Sequence, residues 1–187
     1  MSRRALRVWG DRLVYIGEGG RNMPQSDSWL EEAMARWEVP LLRTCFLLLG
    51  DAKLAEDAVQ EAFVKAWRAH GQYRGEASEK TWLMRIAVNT CRDMRRGGWM
   101  RHVDKAVRLE DLPEPAVPFE PADHELTQAV LGLPQRLRQA VILRFYQGLG
   151  VGETAQALGV SRRTVQYRLA RAERMLKRSL EGLDDVE

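Results

Sequence analysis

Four of the seven prolines, Pro113, Pro115, Pro118 and Pro121, fall within nine residues. A proline fixes its own φ and offers no backbone N–H, so this stretch is excluded from a helix interior and from a central strand. No continuous element can cross it, and the chain is divided there. Residues 103–125 also carry seven acidic side chains against two basic ones. Self-repulsion and proline stiffness together predict an extended linker. The expected organisation is therefore an N-terminal extension (1–26), a first domain (27–102), the linker (103–125) and a second domain (126–187). Shared between two such parts, 187 residues leave each with a modest core.

Charge follows the same division. The whole chain is nearly balanced, with 29 basic and 26 acidic residues. Residues 27–70 hold eight acidic and five basic side chains, whereas 71–102 hold three acidic and seven basic. Residues 126–187 hold six acidic and ten basic. Two basic blocks flanking an acidic spacer suggest two surfaces for polyanion, although each block taken alone reads equally well as a solvated face.

Hydrophobic spacing makes both parts helical. Ala55, Ala58, Val59, Ala62, Phe63, Ala66 and Trp67 recur at i, i+3, i+4 and i+7, the period of one helix face. Asp51, after Gly50, is a candidate N-cap. An earlier helix is expected over about 28–48. A third is expected over about 79–96, with Trp82, Ile86, Ala87, Thr90 and Cys91 inward. Between them the glycine-containing segment 70–78 reads as a loop. In the second part, Pro134 can open a helix whose apolar positions are Leu137, Ala140, Val141 and Phe145. Gly148, Gly150 and Gly152 should break it. No alternating strand pattern stands out, so the expected fold is all-α: two small helical domains joined by the linker.

Residues 153–165 have helix-turn-helix grammar. Ala155 is small where two helices must cross, Gly159 suits a left-handed turn, and Ser161 can cap the following helix. Val160, Val165, Leu169, Ala172 and Leu176 form the inward stripe of that helix. Arg162, Arg163, Gln166, Tyr167, Arg171 and Arg174 face outward. From Ser161 to Arg178 there are seven basic residues and one acidic one. Such a helix fits a DNA major groove, its N-terminal side chains reaching base edges. The competing reading is a helical hairpin with an arginine-rich solvated face.

Other classes find little support. No apolar run approaches the ~20 residues of a membrane helix, and no h-region of a secretory leader stands near the N-terminus. Two cysteines (Cys45, Cys91) and three scattered histidines (His70, His102, His124) suit neither a disulfide framework nor a structural zinc site. No nucleophile–base pair or phosphate loop is present, so neither an enzyme nor a cofactor is expected. Cys45 and Cys91 read as small buried hydrophobes.

With these motifs in place, the chain resembles bacterial RNA polymerase sigma factors of the extracytoplasmic-function type. Leu49-Gly50-Asp51 and the run from Ala55 to Trp67 are similar to sigma regions 2.1 and 2.2. Tyr73-Arg74-Gly75-Glu76 with Thr81-Trp82-Leu83 is similar to region 2.3. Arg85-Ile86-Ala87-Val88-Asn89, with Arg92-Asp93 and Arg95-Arg96, is similar to region 2.4. Leu133-Pro134-Gln135-Arg136 through Arg171-Ala172 is similar to region 4. One departure is Thr154, where the family usually has an aliphatic residue.

The resemblance implies a transcription initiation factor that binds core RNA polymerase and promoter DNA and assists strand opening. It implies that the acidic face of 54–68 meets the clamp helices of the largest polymerase subunit, with Asp57, Gln60 and Glu61 as the polar contacts. It assigns the minus-ten element to Tyr73, Arg74, Lys80, Arg85, Asn89, Arg92, Arg95 and Arg96. Single strands are held by aromatic stacking and backbone charge, and this block supplies both. Trp82 reads more readily as core than as a stacking platform. The minus-thirty-five element falls to Arg162, Arg163, Thr164, Gln166, Tyr167, Arg171 and Arg174. An anti-sigma partner and a cytoplasmic, nucleoid-associated location are implied, with no membrane insertion. The linker is either threaded through the polymerase or a passive tether. The alternative function is a sigma-like decoy that titrates an anti-sigma factor; retention of both basic faces favours a true initiator.

Residues 1–22 match nothing in that family. Gly17-Glu18-Gly19-Gly20 lies just upstream of Met23, and its codons can embed a purine-rich ribosome-binding sequence. Translation starting at Met23 is therefore one expectation, and a flexible basic arm is the other.

Overall fold

The computed structural model describes residues 6–9, 12–15, 24–96 and 123–184, with side chains described for 28–96 and 125–181. Most of the proline-rich linker, through residue 122, lies outside the described residues, as do Gly17–Gly20. Two four-residue strands, Leu6–Trp9 (β1) and Arg12–Tyr15 (β2), pair antiparallel with Leu6 opposite Tyr15. The all-α expectation holds for the two domains; this short hairpin lies in the N-terminal extension, where four residues hold too few alternations to be read as a period. The other described elements are helices.

The first domain is three helices: α1 (Pro24–Leu49), α2 (Ala52–Ala69) and α3 (Glu79–Arg96). Gly50 separates α1 from α2 at φ +75°, a left-handed conformation that residues with a Cβ resist. Asp51 then caps α2, its Oδ1 accepting from the Leu54 N–H at 2.7 Å. The predicted α2 face is buried from Ala55 through Ala66, with Trp67 at its margin. Facing it are Phe46 and Leu48 of α1, and Leu83, Met84 and Val88 of α3. The small residues Ala58, Ala62, Ala66 and Ala87 let the three backbones approach closely.

The second domain begins with α4 (Asp123–Gly132), which starts inside the segment read as linker. It continues with α5 (Gln135–Val141), α6 (Val151–Leu158) and α7 (Arg162–Asp184). Helix α5 widens into a π turn over Ile142–Tyr146. That wider turn breaks the 3.6 period. The expectation that Phe145 packs inward fails for this reason: Phe145 is 67% exposed, while Ile142 and Leu143 are buried. Gly148, at φ +67°, ends the segment. Gly152, expected as a breaker, lies inside α6 instead.

The two domains share one continuous buried cluster, and polar bonds cross the seam. Gln147, almost fully buried, donates from Nε2 to the Pro40 carbonyl (3.1 Å) and to Thr44 Oγ1 (2.9 Å) of α1. Its own carbonyl accepts from Lys80 Nζ of α3. Glu153 of α6 receives the Thr81 hydroxyl at 3.2 Å and the Ser78 hydroxyl at 3.4 Å. Arg138 Nη1 reaches the Leu47 carbonyl at 3.4 Å.

Candidate nucleic-acid interface

Helices α6 and α7 form the helix-turn-helix. Glu153 Oε2 accepts from the Gly150 N–H at 2.8 Å, closing the first turn of α6. Gly159 ends that helix at φ +65°, and the Val160 N–H returns to the Ala155 carbonyl at 3.0 Å. Ser161 Oγ accepts from the Thr164 N–H at 3.1 Å, which caps α7. Val165 and Ala172 are fully buried; Val160, Leu169 and Leu176 pack partly buried around them.

The opposite face of α7 is open as expected. Arg162, Arg163, Gln166, Tyr167, Arg171 and Arg174 are all exposed. Thr164 is half-buried and its hydroxyl lies 2.9 Å from Ser161 Oγ, so it serves the cap. Arg171 Nη1 donates to the Tyr167 hydroxyl at 3.3 Å. Cations on one exposed helix face are groups of the kind that pair with duplex phosphates and base edges. Arg168 was not expected at this surface. Its guanidinium pKa is lowered by partial burial, then by the neighbouring charges of Arg136 and Arg92. A cation grouping of this kind, drawn from both domains, is invisible to helical periodicity.

The minus-ten candidates separate into two sets. Tyr73, Arg74 and Arg85 line one cleft of about 690 Å³ together with Trp82, Glu76 and Gly71. Tyr73 stacks on Trp82 with ring centroids 4.8 Å apart, and its hydroxyl donates to the Ala77 carbonyl at 2.5 Å. Trp82 is half-buried: it packs against the core cluster, and its ring also forms part of the cleft wall. Arg96 is exposed; Asn89 and Arg92 are half-buried along α3. Lys80 and Arg95 are already engaged. Lys80 donates to the Gln147 carbonyl, and Arg95 Nη1 donates to the Leu48 carbonyl at 2.8 Å, capping the end of α1.

On α2, Glu61 is exposed, and Asp57 and Gln60 are half-buried on the same side. Glu61 lies 3.6 Å from Lys65 Nζ, an exposed i,i+4 pair of small energetic weight. Among the described residues, no group of three or more His, Cys, Asp or Glu side chains is placed to hold a metal ion. Among the same residues no helix is long and apolar enough to cross a membrane.

Sigma-70 region 2 matches residues 34–101, and sigma-70 region 4 matches residues 123–176. The RNA polymerase sigma-H factor of Pseudomonas aeruginosa is 33% identical over 162 residues, covering 79% of this chain and 84% of its own. The ECF RNA polymerase sigma factor SigM of Mycobacterium tuberculosis is 35% identical over 179 residues, covering 88% and 89%. The chain belongs to the extracytoplasmic-function sigma factors. It is accordingly a transcription initiation factor and not an enzyme. Its fold also matches that of the sigma factor RpoE from Bartonella quintana, crystallised with the anti-sigma factor NepR. That match has a TM-score of 0.64 at 24% identity, covering 83% of this chain and 98% of that one. In this sigma factor, α1–α3 constitute region 2 and α4–α7 region 4. The family's aliphatic position is here Thr154, fully buried, its hydroxyl without a hydrogen-bond partner.

Proposed function

We propose that this sigma factor selects promoters with the open face of α7 on the minus-thirty-five element and the cleft at Tyr73, Arg74, Trp82 and Arg85 on the minus-ten strand. The observation that carries this reading is the α7 face. Its arginines, Gln166 and Tyr167 stand in solvent while Val165 and Ala172 hold the helix from behind. Arg92 and Arg96, with the neutral amide of Asn89 beside them, continue the polar surface along α3. Thr164 positions the start of α7 rather than reading bases. The exposed acidic side of α2, at Asp57, Gln60 and Glu61, docks on core polymerase. There electrostatics sets encounter rate and orientation more than affinity.

Use of both elements requires the seam to part. By their names the two elements lie about 25 base pairs apart, roughly 85 Å of duplex at 3.4 Å per base pair. Here Arg85 of α3 and Arg162 of α7 line a single cleft. Lys80 is freed for a phosphate only when the Gln147 carbonyl leaves it. The described arrangement is therefore the form held off DNA, and an anti-sigma factor gripping both domains would preserve it. Retained basic faces on both domains weigh against a decoy.

The test is reconstitution with core polymerase and scoring of promoter-dependent transcripts. Arg163→Ala and Gln166→Ala should each weaken upstream-element recognition by ~1–3 kcal/mol, the worth of a specific base contact. Unchanged promoter selection in both would reject α7 as the reader.

A further inference from the structure

Behind the cleft, α1 and α3 are joined by one carboxylate. Glu79, the first residue of α3, accepts the indole N–H of Trp29 on Oε1 at 2.7 Å and that of Trp37 on Oε2 at 2.8 Å. Arg36 Nη1 lies 3.5 Å from the same Oε2. A carboxylate bonded through both oxygens to separate donors is fixed in rotation. Each indole has a single donor, so a bond to it also fixes the plane of its ring.

The consequence travels through ring contacts. Trp29 stacks on His70 with centroids 3.9 Å apart and planes 18° apart, and it meets Trp82 at 5.9 Å and 55°. Trp82 stacks on Tyr73, and the Tyr73 hydroxyl closes on the Ala77 carbonyl. One array thus runs from α1, past the turn at His70, into the loop and back to α3. Its far members, Trp82 and Tyr73, are walls of the cleft.

We propose that Glu79 is the positioning residue for single-strand capture. It does not touch the base. It holds Trp29, with its other oxygen anchored on Trp37, so that Trp82 and Tyr73 present one stacking geometry to a base taken out of the duplex. The inference rests on reading the cleft as the minus-ten surface. A Glu79→Gln side chain keeps one acceptor oxygen, so one indole N–H loses its partner. Trp29→Phe removes the donor to Oε1 and keeps an aromatic ring beside Trp82, while Trp37 and the carboxylate stay in place.

The experiment uses holoenzyme assembled from the full chain and core polymerase, with a labelled single-stranded oligonucleotide carrying the minus-ten non-template sequence. A series changed at one base each accompanies it, and duplex upstream-element binding is measured in parallel. Glu79→Gln should weaken strand binding about tenfold, the order expected for one lost charge-assisted bond. Base discrimination should flatten, and upstream-element binding should stay unchanged. Trp29→Phe should fall in the same direction, and the double variant should be no worse than Glu79→Gln alone. Strand affinity and base order equal to the unsubstituted protein overturn the proposal, whatever happens to thermal stability. Should Glu79→Gln fail to fold, Trp29→Phe decides by the same readout. An unsubstituted holoenzyme that binds no minus-ten strand refutes the promoter reading itself, which separates the two failures.

Discussion

Replacing Gln147 with alanine tests whether the domain seam is held by specific bonds. The side chain makes two, from Nε2 to the Pro40 carbonyl at 3.1 Å and to Thr44 Oγ1 at 2.9 Å. Their removal strands nothing, because the Thr44 hydroxyl already donates to the Pro40 carbonyl at 2.9 Å. The backbone carbonyl of residue 147 still receives Lys80. The loss is therefore that of two net hydrogen bonds, about 1–3 kcal/mol in total. That shifts the ratio of parted to closed forms by roughly 5–150-fold. Gln147→Glu should shift it further, since it sets a buried carboxylate against the Pro40 carbonyl oxygen where a donor stood. The assay is energy transfer in the free chain between dyes on cysteines placed at the exposed Glu56 and Glu173, with Cys45 and Cys91 buried out of reach. Transfer should fall in Gln147→Ala, and DNA affinity of the free protein should rise. Transfer and affinity unchanged in both variants would refute the reasoning, because the seam would then depend on neither bond.

Three further outcomes are expected. Glu61→Arg should weaken core polymerase binding in a salt-dependent way and leave upstream-element binding by the same chain intact; a normal core affinity removes α2 from the interface. Asp51→Ala should cost region 2 about 1 kcal/mol through loss of the α2 cap, seen as a lower denaturant midpoint with an unchanged m-value. Thr154→Val replaces a buried, unpartnered hydroxyl by a methyl of the same shape and should stabilise region 4 by about 1 kcal/mol; a lower melting temperature would mean that the hydroxyl has an unseen bonded water.

What the sequence made legible was whatever repeats within one helix. The α2 stripe, the Asp51 and Ser161 caps, the Gly159 turn and the outward arginines of α7 all stand where spacing placed them, since each depends on neighbours within four residues. Phe145 was misplaced because a π turn changes the period without a compositional mark. Lys80 and Arg95 were read as free cations because their carbonyl partners, Gln147 and Leu48, lie 67 and 47 residues away. Glu79 drew no reading from the sequence for the same reason, with its tryptophans 50 and 42 residues distant.

The end of α1 shows how local and distant constraints combine. Its final carbonyls are served by one arginine from each domain, Arg95 at Leu48 and Arg138 at Leu47. Both cations sit at the negative end of the helix dipole. Burial, then the charge of Arg95, lowers the Arg138 pKa to about 10, which still leaves it charged at neutral pH. Arg138 also donates to the Leu131 and Leu133 carbonyls within its own domain. When the domains part, it gives up one bond to α1 and keeps its hold on the α4–α5 corner, while Arg95 continues to cap α1. Neither side is left with an unpaired buried charge. The seam's polar bonds thus fix the register in which two apolar surfaces meet, and their loss on opening is met by water or by groups already in place. A seam of that kind separates without unfolding either domain, as the proposed use of two promoter elements requires.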